Sequence, residues 1–363
     1  MSKKKRILVK GNEALSMGAI KAGCLYYFGY PITPQNEVPE YMSRVLPGLG
    51  GEYVQAESEL AAINMVMGAS ALGVRSMTSS SSPGISLMQE GLSYMAGQEL
   101  PAVVVNIVRC GPGLGGIAAS QSDYFQAVKG GGHGDYRLVV LAPAGVQEMY
   151  DQTILAFALA DRYRNPVMVL ADAVLGQMLE PIVEREEVPP EPRKPWALDG
   201  AKDRPMRYLK SLYLKEGELE AHNKVLQEKY REIEKHEVRY EEYFTDDAEM
   251  IVAAFGTSAR IAKTAVSMAR EKGIKAGLFR PVTVYPFPKI QLLALSQRIK
   301  KYLVVEMNTG QMVEDVRLNV TGDSSVHFYG RPGGGMPTPG EVLKEIEKKY
   351  SEPLDRLGAG SER

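Results

Sequence analysis

Several polar residues that could take part in catalysis or ligand binding stand at the ends of apolar runs in the sequence. Thr33 lies between two prolines in Tyr-Pro-Ile-Thr-Pro, and this setting presents its hydroxyl rigidly because proline restricts its own backbone and that of the preceding residue. Glu57 and Glu59 come directly before an apolar stretch, where Glu59 can be desolvated and share a proton. Arg109 ends the most hydrophobic run, and its guanidinium can bind a carboxylate through two parallel hydrogen bonds.

A fourth such point is the hydroxyl-rich run Thr-Ser-Ser-Ser-Ser-Pro-Gly at 78–84, which predicts a strand-to-helix turn. In open α/β sheets, ligands bind beyond the carboxyl ends of the strands. If all four points lie at one sheet edge, they form a candidate binding site. The turn contributes Ser81, Ser82, Pro83 and Gly84.

Each residue also has an ordinary structural explanation. Glu57 or Glu59 could cap the following helix and complement its dipole. The serine run is also typical of a solvated loop, and Arg109 of a surface ion pair. Taken singly, the structural explanation is favoured in each case; convergence at one edge favours a site.

Residues 111–116, Gly-Pro-Gly-Leu-Gly-Gly, match the G-x-G-x-x-G pattern of dinucleotide-binding folds. That fold also requires a helix beginning at the third glycine, and a second strand ending in an acid about 20 residues later. No second strand is predicted before Asp135. A nucleotide-dependent α/β enzyme is therefore an alternative that the surrounding sequence disfavours.

The elements that must position these residues alternate along the first half of the chain. Runs rich in β-branched residues predict strands, and the amphipathic stretches between them predict helices. The strands are predicted at 6–10, 103–109, 137–142 and 167–172, and the helices at 14–28, 60–72, 89–98 and 147–162. Continuous apolar runs such as Ala-Val-Val-Val-Asn-Ile-Val are typical of buried parallel strands. We therefore expect a doubly wound α/β domain.

The composition changes near residue 180. Prolines among charges indicate an extended linker, and 218–244 predicts a long charged helix with one apolar stripe. A dimerising coiled coil is an alternative for that helix, but His and Lys at the second core position favour packing against its own protein.

A second α/β pattern follows, with a helix predicted at 258–272 that Thr257 or Ser258 could cap. Its strands are predicted at 250–255, 275–279, 302–306 and 326–329, before a charged helix at 341–350. We predict four segments, at 1–180, 181–247, 248–350 and a tail at 351–363.

The composition excludes several classes of protein. Among 363 residues, 43 Lys and Arg balance 44 Asp and Glu, so no global basic field is available for nucleic acid. The two cysteines, Cys24 and Cys110, are too few for a disulfide framework, a four-cysteine zinc site or an iron–sulfur cluster held by this chain alone. No stretch predicts a secretory signal or a membrane span. We expect a cytoplasmic protein.

Several motifs occur in order: Gly-Tyr-Pro-Ile-Thr-Pro-Gln, Gln-Ala-Glu-Ser-Glu-Leu-Ala-Ala-Ile-Asn, Thr-Ser-Ser-Ser-Ser-Pro-Gly-Ile-Ser-Leu-Met, Arg-Cys-Gly-Pro-Gly-Leu-Gly-Gly and Val-Glu-Met-Asn-Thr-Gly-Gln. Together they resemble the alpha subunit of 2-oxoacid:ferredoxin oxidoreductases, most of all the 2-oxoisovalerate (3-methyl-2-oxobutanoate) type. The resemblance covers residues 10–350. It implies that 1–180 is a pyrimidine-type thiamine diphosphate-binding domain and that 248–350 resembles the C-terminal domain of transketolase.

The resemblance implies a role for each candidate residue. Glu59 matches the glutamate that hydrogen-bonds the aminopyrimidine ring and favours the imino tautomer that removes the thiazolium proton. Thr33 matches the threonine near the keto acid, and Arg109 matches the arginine that pairs with its carboxylate. The cofactor-binding turn comprises Ser81, Ser82, Pro83 and Gly84.

Other parts of such an enzyme are missing from this sequence. The diphosphate half of a thiamine site normally shows Gly-Asp-Gly followed by Asn, which hold Mg²⁺; here Gly-Asp-Tyr stands at 134–136 and Gly-Asp-Ser at 322–324. Cys-x-x-Cys runs are also absent. The resemblance therefore implies thiamine diphosphate shared with a partner subunit, and Mg²⁺ and iron–sulfur clusters on partners only. It also implies beta and gamma subunits, a ferredoxin-like delta subunit, CoA as acyl acceptor and ferredoxin as electron acceptor.

The implied reaction is CoA-dependent oxidative decarboxylation of a 2-oxo acid to acyl-CoA and CO₂. A branched-chain substrate needs an apolar pocket, whereas 2-oxoglutarate needs a second cation for its distal carboxylate. Lys129 and His133 are candidate cations in a glycine-rich loop, for which a solvated loop is an equally good explanation. A 2-oxoglutarate enzyme and a non-catalytic scaffold subunit remain alternatives.

Overall fold

The computed structural model describes residues 6–353, so the predicted tail from 354 onward lies outside the described residues. Strands and helices alternate through the first half. They are β1 (Arg6–Lys10), α1 (Gly11–Lys21), β2 (Tyr26–Gly29), α2 (Glu37–Val45), β3 (Glu52–Gln55), α3 (Glu59–Ala71), β4 (Ser76–Ser80), α4 (Pro83–Gly97), β5 (Ala102–Val108), α5 (Tyr124–Val128), β6 (Val139–Leu141), α6 (Val146–Tyr163), β7 (Pro166–Asp172), α7 (Ala173–Gln177) and β8 (Leu179–Val183).

The second half begins with a long helix and then alternates again. Its elements are α8 (Glu218–His236), β9 (Tyr240–Tyr243), β10 (Met250–Ala253), α9 (Gly256–Glu271), β11 (Ala276–Pro281), β12 (Thr283–Tyr285), α10 (Lys289–Arg298), β13 (Lys301–Glu306), α11 (Met312–Leu318), β14 (Ser325–Gly330) and α12 (Pro339–Ser351). No helix within residues 6–353 combines the length and the hydropathy that crossing a membrane requires.

The larger sheet has seven strands in the order β12-β6-β7-β5-β4-β2-β3, and all except β12 run parallel. Strands β5 and β7 are buried along their whole length, which explains their continuous apolar sequences. Helix α3 packs against α4, and α1 packs against both α2 and α6. The doubly wound α/β prediction is confirmed.

A second sheet, in the order β14-β13-β10-β11-β9, has β9 as an antiparallel edge strand. The two halves of the chain are joined at several places. Strand β12 comes from the second half but pairs with β6 of the first sheet, and Arg280 donates to Glu148 at 2.8 Å across the junction. The division into segments at 180, 247 and 350 stays a prediction.

Several predicted helix boundaries are wrong; the helix predicted at 89–98, for example, already begins at Pro83. The helix predicted at 14–28 ends at Lys21, because Gly23 adopts a φ of 80° and reverses the chain. The aromatic run after it forms β2, in keeping with the preference of aromatic residues for strands. Helix α9 begins at Gly256, so Thr257 and Ser258 lie inside its first turn and do not cap it.

Helix α8 packs against its own protein, as favoured from the sequence. The apolar stripe buries Leu226, Tyr230 and Ile233, and His222 lies 2.7 Å from the Gly97 carbonyl oxygen at the end of α4. The helix ends at His236 rather than 244, and the chain continues into β9.

Gln121 fastens the loop after β5 to the second half of the chain. Its side-chain nitrogen donates to the Phe255 carbonyl at 2.8 Å. Its side-chain oxygen accepts from the Ser258 hydroxyl at 2.7 Å and from the Met307 amide at 3.0 Å. Its backbone oxygen accepts from the Asn308 side chain at 2.9 Å. This single buried residue therefore holds the loop after β5 against the chain segments that follow β10 and β13.

We expect Gln121→Ala to lower the free energy of unfolding by about 2–4 kcal/mol, because buried donors and acceptors on both sides lose their partners. Chemical denaturation of the purified chain measures the change. The matched control is Gln297→Ala, at an exposed position of α10. Equal stability of the two variants would contradict the importance given to Gln121.

Candidate functional site

Four neighbouring strands deliver the candidate residues to one edge of the larger sheet. Strands β2, β3, β4 and β5 are parallel, so their carboxyl ends point the same way. Thr33 follows β2, Glu59 follows β3, the turn 81–84 follows β4 and Arg109 follows β5. The structure thus brings together the residues that the sequence pattern singled out.

Glu59 begins α3, and its side chain is almost fully buried, with 4% exposure. It is not the helix cap, and neither is Glu57, because the Ser58 hydroxyl accepts from the Ala61 amide at 3.3 Å. Glu59 Oε1 accepts a hydrogen bond from the Ser80 hydroxyl at 3.1 Å. Within the described part of the chain, no cation pairs with this carboxylate. The group is buried and retains acceptor capacity for a ligand.

The missing side chain of Gly84 makes room for this arrangement. A Cβ at Gly84 would lie 2.0 Å from Ser80 Oγ and 2.2 Å from Glu59 Oε1. The hydroxyls of Thr78, in β4, and of Ser81, in the turn, are also buried, and neither has a hydrogen-bond partner among residues 6–353. Unsatisfied buried hydroxyls are uncommon; in the described chain the hydroxyls of Tyr230, Thr257 and Tyr302 share this property.

Arg109 joins two loops at this edge and is not a surface ion pair. Its side chain is buried, and its terminal nitrogens donate to the Thr33 carbonyl at 3.0 Å and to the Leu114 carbonyl at 3.3 Å. Its Nε is buried without a partner in the described chain. Thr33 itself is exposed, and its hydroxyl accepts a 3.4 Å bond from Asn36.

A cavity of about 380 Å³ opens beside Arg109, between the edge of the larger sheet and the second half of the chain. Ser82 and Pro83 line one side. The loops after β13 and β14 line the other at 308–309 and 332–333. Among the described residues that line this cavity, Arg109 is the only cation.

Three polar residues of this region were not predicted from the sequence. Asn106 is fully buried inside β5, and its place within an apolar run was the available signal. Asp123 lines the cavity and accepts from Asn106 at 2.9 Å; burial raises the pKa of Asp123, against this hydrogen bond. Asn308 belongs to the motif at 305–311 and donates to the buried Glu306 at 2.8 Å.

Lys129 and His133 do not reach the cavity. Lys129 forms an ion pair with Asp315, and His133 is exposed, with its ring edge-on to that of Tyr94 at 5.9 Å between centroids. Neither residue supplies a second cation to the site.

The dinucleotide alternative for 111–116 is wrong. No helix begins at Gly116, and the next helix starts only at Tyr124. Gly115 adopts a φ of 62°, and a Cβ there would lie 1.9 Å from the Cys110 carbonyl oxygen. These glycines form a tight turn that lacks the helix start of a dinucleotide-binding motif.

Comparison with known proteins identifies the family. A family model described as the thiamine diphosphate-binding part of pyruvate flavodoxin/ferredoxin oxidoreductase matches residues 17–268. The chain belongs to this family of oxidoreductases. A second family model, described as pyruvate:ferredoxin oxidoreductase core domain II, matches residues 248–342.

Similar curated proteins cover nearly the whole chain. The ketoisovalerate oxidoreductase subunit VorB of Methanothermobacter thermautotrophicus is 52% identical over 96% of this chain and 99% of its own length. The 2-oxoglutarate synthase subunit KorA of the same organism is 39% identical over 94% of this chain and 98% of its own length.

Similar solved structures agree with this family. The 2-oxoglutarate:ferredoxin oxidoreductase of Magnetococcus marinus, solved with 2-oxoglutarate, coenzyme A and succinyl-CoA bound, superposes with a TM-score of 0.88 at 28% identity. The match covers 97% of this chain and 66% of that chain. A split-gene transketolase superposes with a TM-score of 0.56 at 10% identity, which shows likeness of fold alone.

The residues at the sheet edge fit the aminopyrimidine half of thiamine diphosphate. The ring needs a buried carboxylate with spare acceptor capacity, which Glu59 offers. Within residues 6–353, no group of three or more His, Cys, Asp or Glu side chains is arranged to hold a metal ion.

We expect Gly84→Ala to weaken thiamine diphosphate binding by the assembled complex at least about tenfold, because the added methyl group must displace Glu59 or Ser80. Isothermal titration calorimetry measures the affinity. Gly68→Ala, in α3 with nothing within 4 Å of the new Cβ, is the matched control. Wild-type affinity in the Gly84 variant would show that the cofactor does not use this turn.

Proposed function

We propose that the chain is the alpha subunit of a 2-oxoacid:ferredoxin oxidoreductase that acts on 2-oxoisovalerate, the substrate also called ketoisovalerate or 3-methyl-2-oxobutanoate. The complex converts the 2-oxo acid, CoA and oxidised ferredoxin to acyl-CoA, CO₂ and reduced ferredoxin. The main support for this proposal is that two buried groups lie at one sheet edge: the Glu59 carboxylate, which has no cation partner, and the Arg109 guanidinium, which has one unpaired nitrogen.

Each proposed role follows from the position of the side chain. When bound, thiamine diphosphate supplies the electron sink that cleavage of a 2-oxo acid needs. Glu59, held by Ser80, shares a proton with a pyrimidine nitrogen. Arg109 uses its spare Nε–H, or a terminal nitrogen released from a loop carbonyl, to bind the substrate carboxylate. Thr33 places its exposed hydroxyl beside the keto group.

The cavity supports a substrate with one carboxylate. Arg109 is its only cation within the described residues, so the second carboxylate of 2-oxoglutarate finds no further cation among them. The relative named for ketoisovalerate is 52% identical, against 39% for the relative named for 2-oxoglutarate. The single cation and the higher identity favour the branched-chain substrate over 2-oxoglutarate. The described residues that line the cavity include no Leu, Ile, Val, Met or aromatic side chain, so in this proposal a partner subunit supplies the apolar surface for the branched chain.

The remaining parts of the enzyme belong to partner subunits in this proposal. Beta and gamma subunits and a ferredoxin-like delta subunit carry the diphosphate half-site with Mg²⁺ and the iron–sulfur clusters. CoA is the acyl acceptor. The protein acts in the cytoplasm. We also propose the division of the chain into a pyrimidine-type domain at 1–180, a linker and long helix at 181–247, and a transketolase C-terminal-like domain at 248–350.

Glu59→Gln is expected to lower the rate of 2-oxo acid decarboxylation by the assembled complex roughly 100-fold or more, because an amide cannot exchange a proton with the pyrimidine. The chain still assembles, since the substitution preserves shape. Glu57→Gln, two residues earlier and exposed, is the matched control. Near-normal turnover of Glu59→Gln would show that Glu59 does not exchange a proton with the cofactor.

Arg109→Met is expected to raise the KM for the 2-oxo acid roughly 10- to 100-fold, the usual effect of losing a hydrogen bond to a charged group. Arg109→Lys keeps the charge but loses the two-pronged hydrogen-bonding geometry of arginine, so its KM should lie between that of the wild type and that of Arg109→Met. Steady-state kinetics of the complex measures both. An exposed arginine of α8, changed as Arg231→Met, controls for surface charge. An unchanged KM in Arg109→Met would return Arg109 to a purely structural role.

Substrate choice is tested by assaying the reconstituted complex with 2-oxoisovalerate, 2-oxoglutarate and pyruvate. We expect the highest kcat/KM for 2-oxoisovalerate. Preference for 2-oxoglutarate would support the alternative enzyme. Failure of the complex to bind thiamine diphosphate would support the non-catalytic scaffold.

A further inference from the structure

Asp123 stands at the start of a chain of hydrogen bonds that ends at Arg109. The Asn106 side-chain nitrogen donates to Asp123 Oδ2 at 2.9 Å. The Asn106 side-chain oxygen accepts from the Ser82 backbone amide at 3.2 Å. The Ser82 hydroxyl bonds to the Arg109 backbone, 3.0 Å from its carbonyl oxygen and 3.1 Å from its amide nitrogen. Three short links thus connect a cavity-lining carboxylate to the substrate-binding arginine. Asp123 also interacts directly with the Ser82 and Ser122 hydroxyls, and these contacts, like the one with Asn106, oppose the rise of its pKa that burial causes.

Ser82 is the link that needs external support. Its φ of 20° lies outside the regions that residues with a side chain ordinarily adopt, and such a conformation persists only where the surroundings hold it. Its own side chain does not cap α4, because the hydroxyl is bonded to Arg109. The bond from the Ser82 amide to Asn106 is therefore a main restraint on the turn that contains Gly84.

The direction of the Asn106 amide decides whether that restraint exists. The two ends of an amide side chain have nearly the same shape, so only their partners fix which end faces which way. An ionised carboxylate accepts hydrogen bonds and cannot donate them. Asp123 therefore holds the nitrogen of Asn106 toward itself and leaves the oxygen facing Ser82.

We propose that Asp123 is a positioning residue, which orients Asn106 and through it holds the 81–84 turn and the Arg109 backbone in the ligand-binding geometry. The inference deepens the proposed function and rests on it for the ligand, while the Asp123–Asn106 pair is a property of the chain alone. Burial raises the pKa of Asp123, so its restraint is lost more readily as the pH falls than that of a solvated carboxylate would be.

Exchanging the two residues is the sharpest test. Asn106→Asp alone places two carboxylates against each other, which weakens thiamine diphosphate binding by the assembled complex at least about tenfold at pH 8. The loss shrinks as the pH is lowered, because one carboxyl then takes a proton and donates it to the other. Asn106→Asp with Asp123→Asn restores an amide–carboxylate pair and recovers most of the affinity. Asp123→Ala loses affinity at every pH, and Asp135→Asn, at an exposed acid, controls for charge.

The same variants are compared by thermal unfolding of the purified full chain without cofactor. The Tm of Asn106→Asp should fall at pH 8, recover at lower pH and be restored by the exchange. A Tm and an affinity of Asn106→Asp equal to wild type at pH 8, or an exchange variant that recovers neither, would overturn the positioning role. Absence of thiamine diphosphate binding in the wild-type complex would instead refute the proposed function, because the Tm pattern does not depend on the cofactor.

Discussion

The contact among Glu59, Ser80 and Gly84 is the constraint on which the site depends. Burying a carboxylate without a cation is unfavourable unless hydrogen bonds compensate. Here one hydroxyl and the amino end of α3 provide compensation, and the glycine permits the close approach. The remaining acceptor capacity is directed to a ligand. Any side chain at position 84 would collide with the Glu59 carboxylate, so the carboxylate could not occupy its buried position.

The parallel sheet turns that local contact into a site. Because β2 to β5 run in one direction, residues separated by up to 76 positions, such as Thr33 and Arg109, lie within hydrogen-bonding distance. The second half closes the cavity through the loops after β13 and β14, and Gln121 holds that half in place. Fold, inter-sheet packing and site geometry therefore depend on one another.

Much of this arrangement could be predicted from sequence, for identifiable reasons. The apolar runs of β5 and β7 and the turn at 78–84 indicated the sheet and its functional edge. The end of α1 was misjudged because Gly23 lies within an otherwise helical pattern. Asp123 was missed because its importance arises from Asn106, a partner on another element, and no local pattern reports such a pair. Asn106 did carry a local signal, a polar residue inside an apolar run, and Asn308 stands in a motif whose structural meaning depends on a contact with Gln121. Strands β3 and β4 were also missed, since four exposed or half-exposed residues and a run of hydroxyls lack the usual apolar signature.

A structure of the assembled complex with thiamine diphosphate bound would test the central claim most directly. We expect the aminopyrimidine ring at the carboxyl edge of β2 to β5, with a ring nitrogen within about 3.2 Å of the Glu59 carboxylate. We also expect the ring to fill the space beside Gly84. A ring bound away from this edge, with Glu59 still bonded to Ser80 alone, would contradict this expectation.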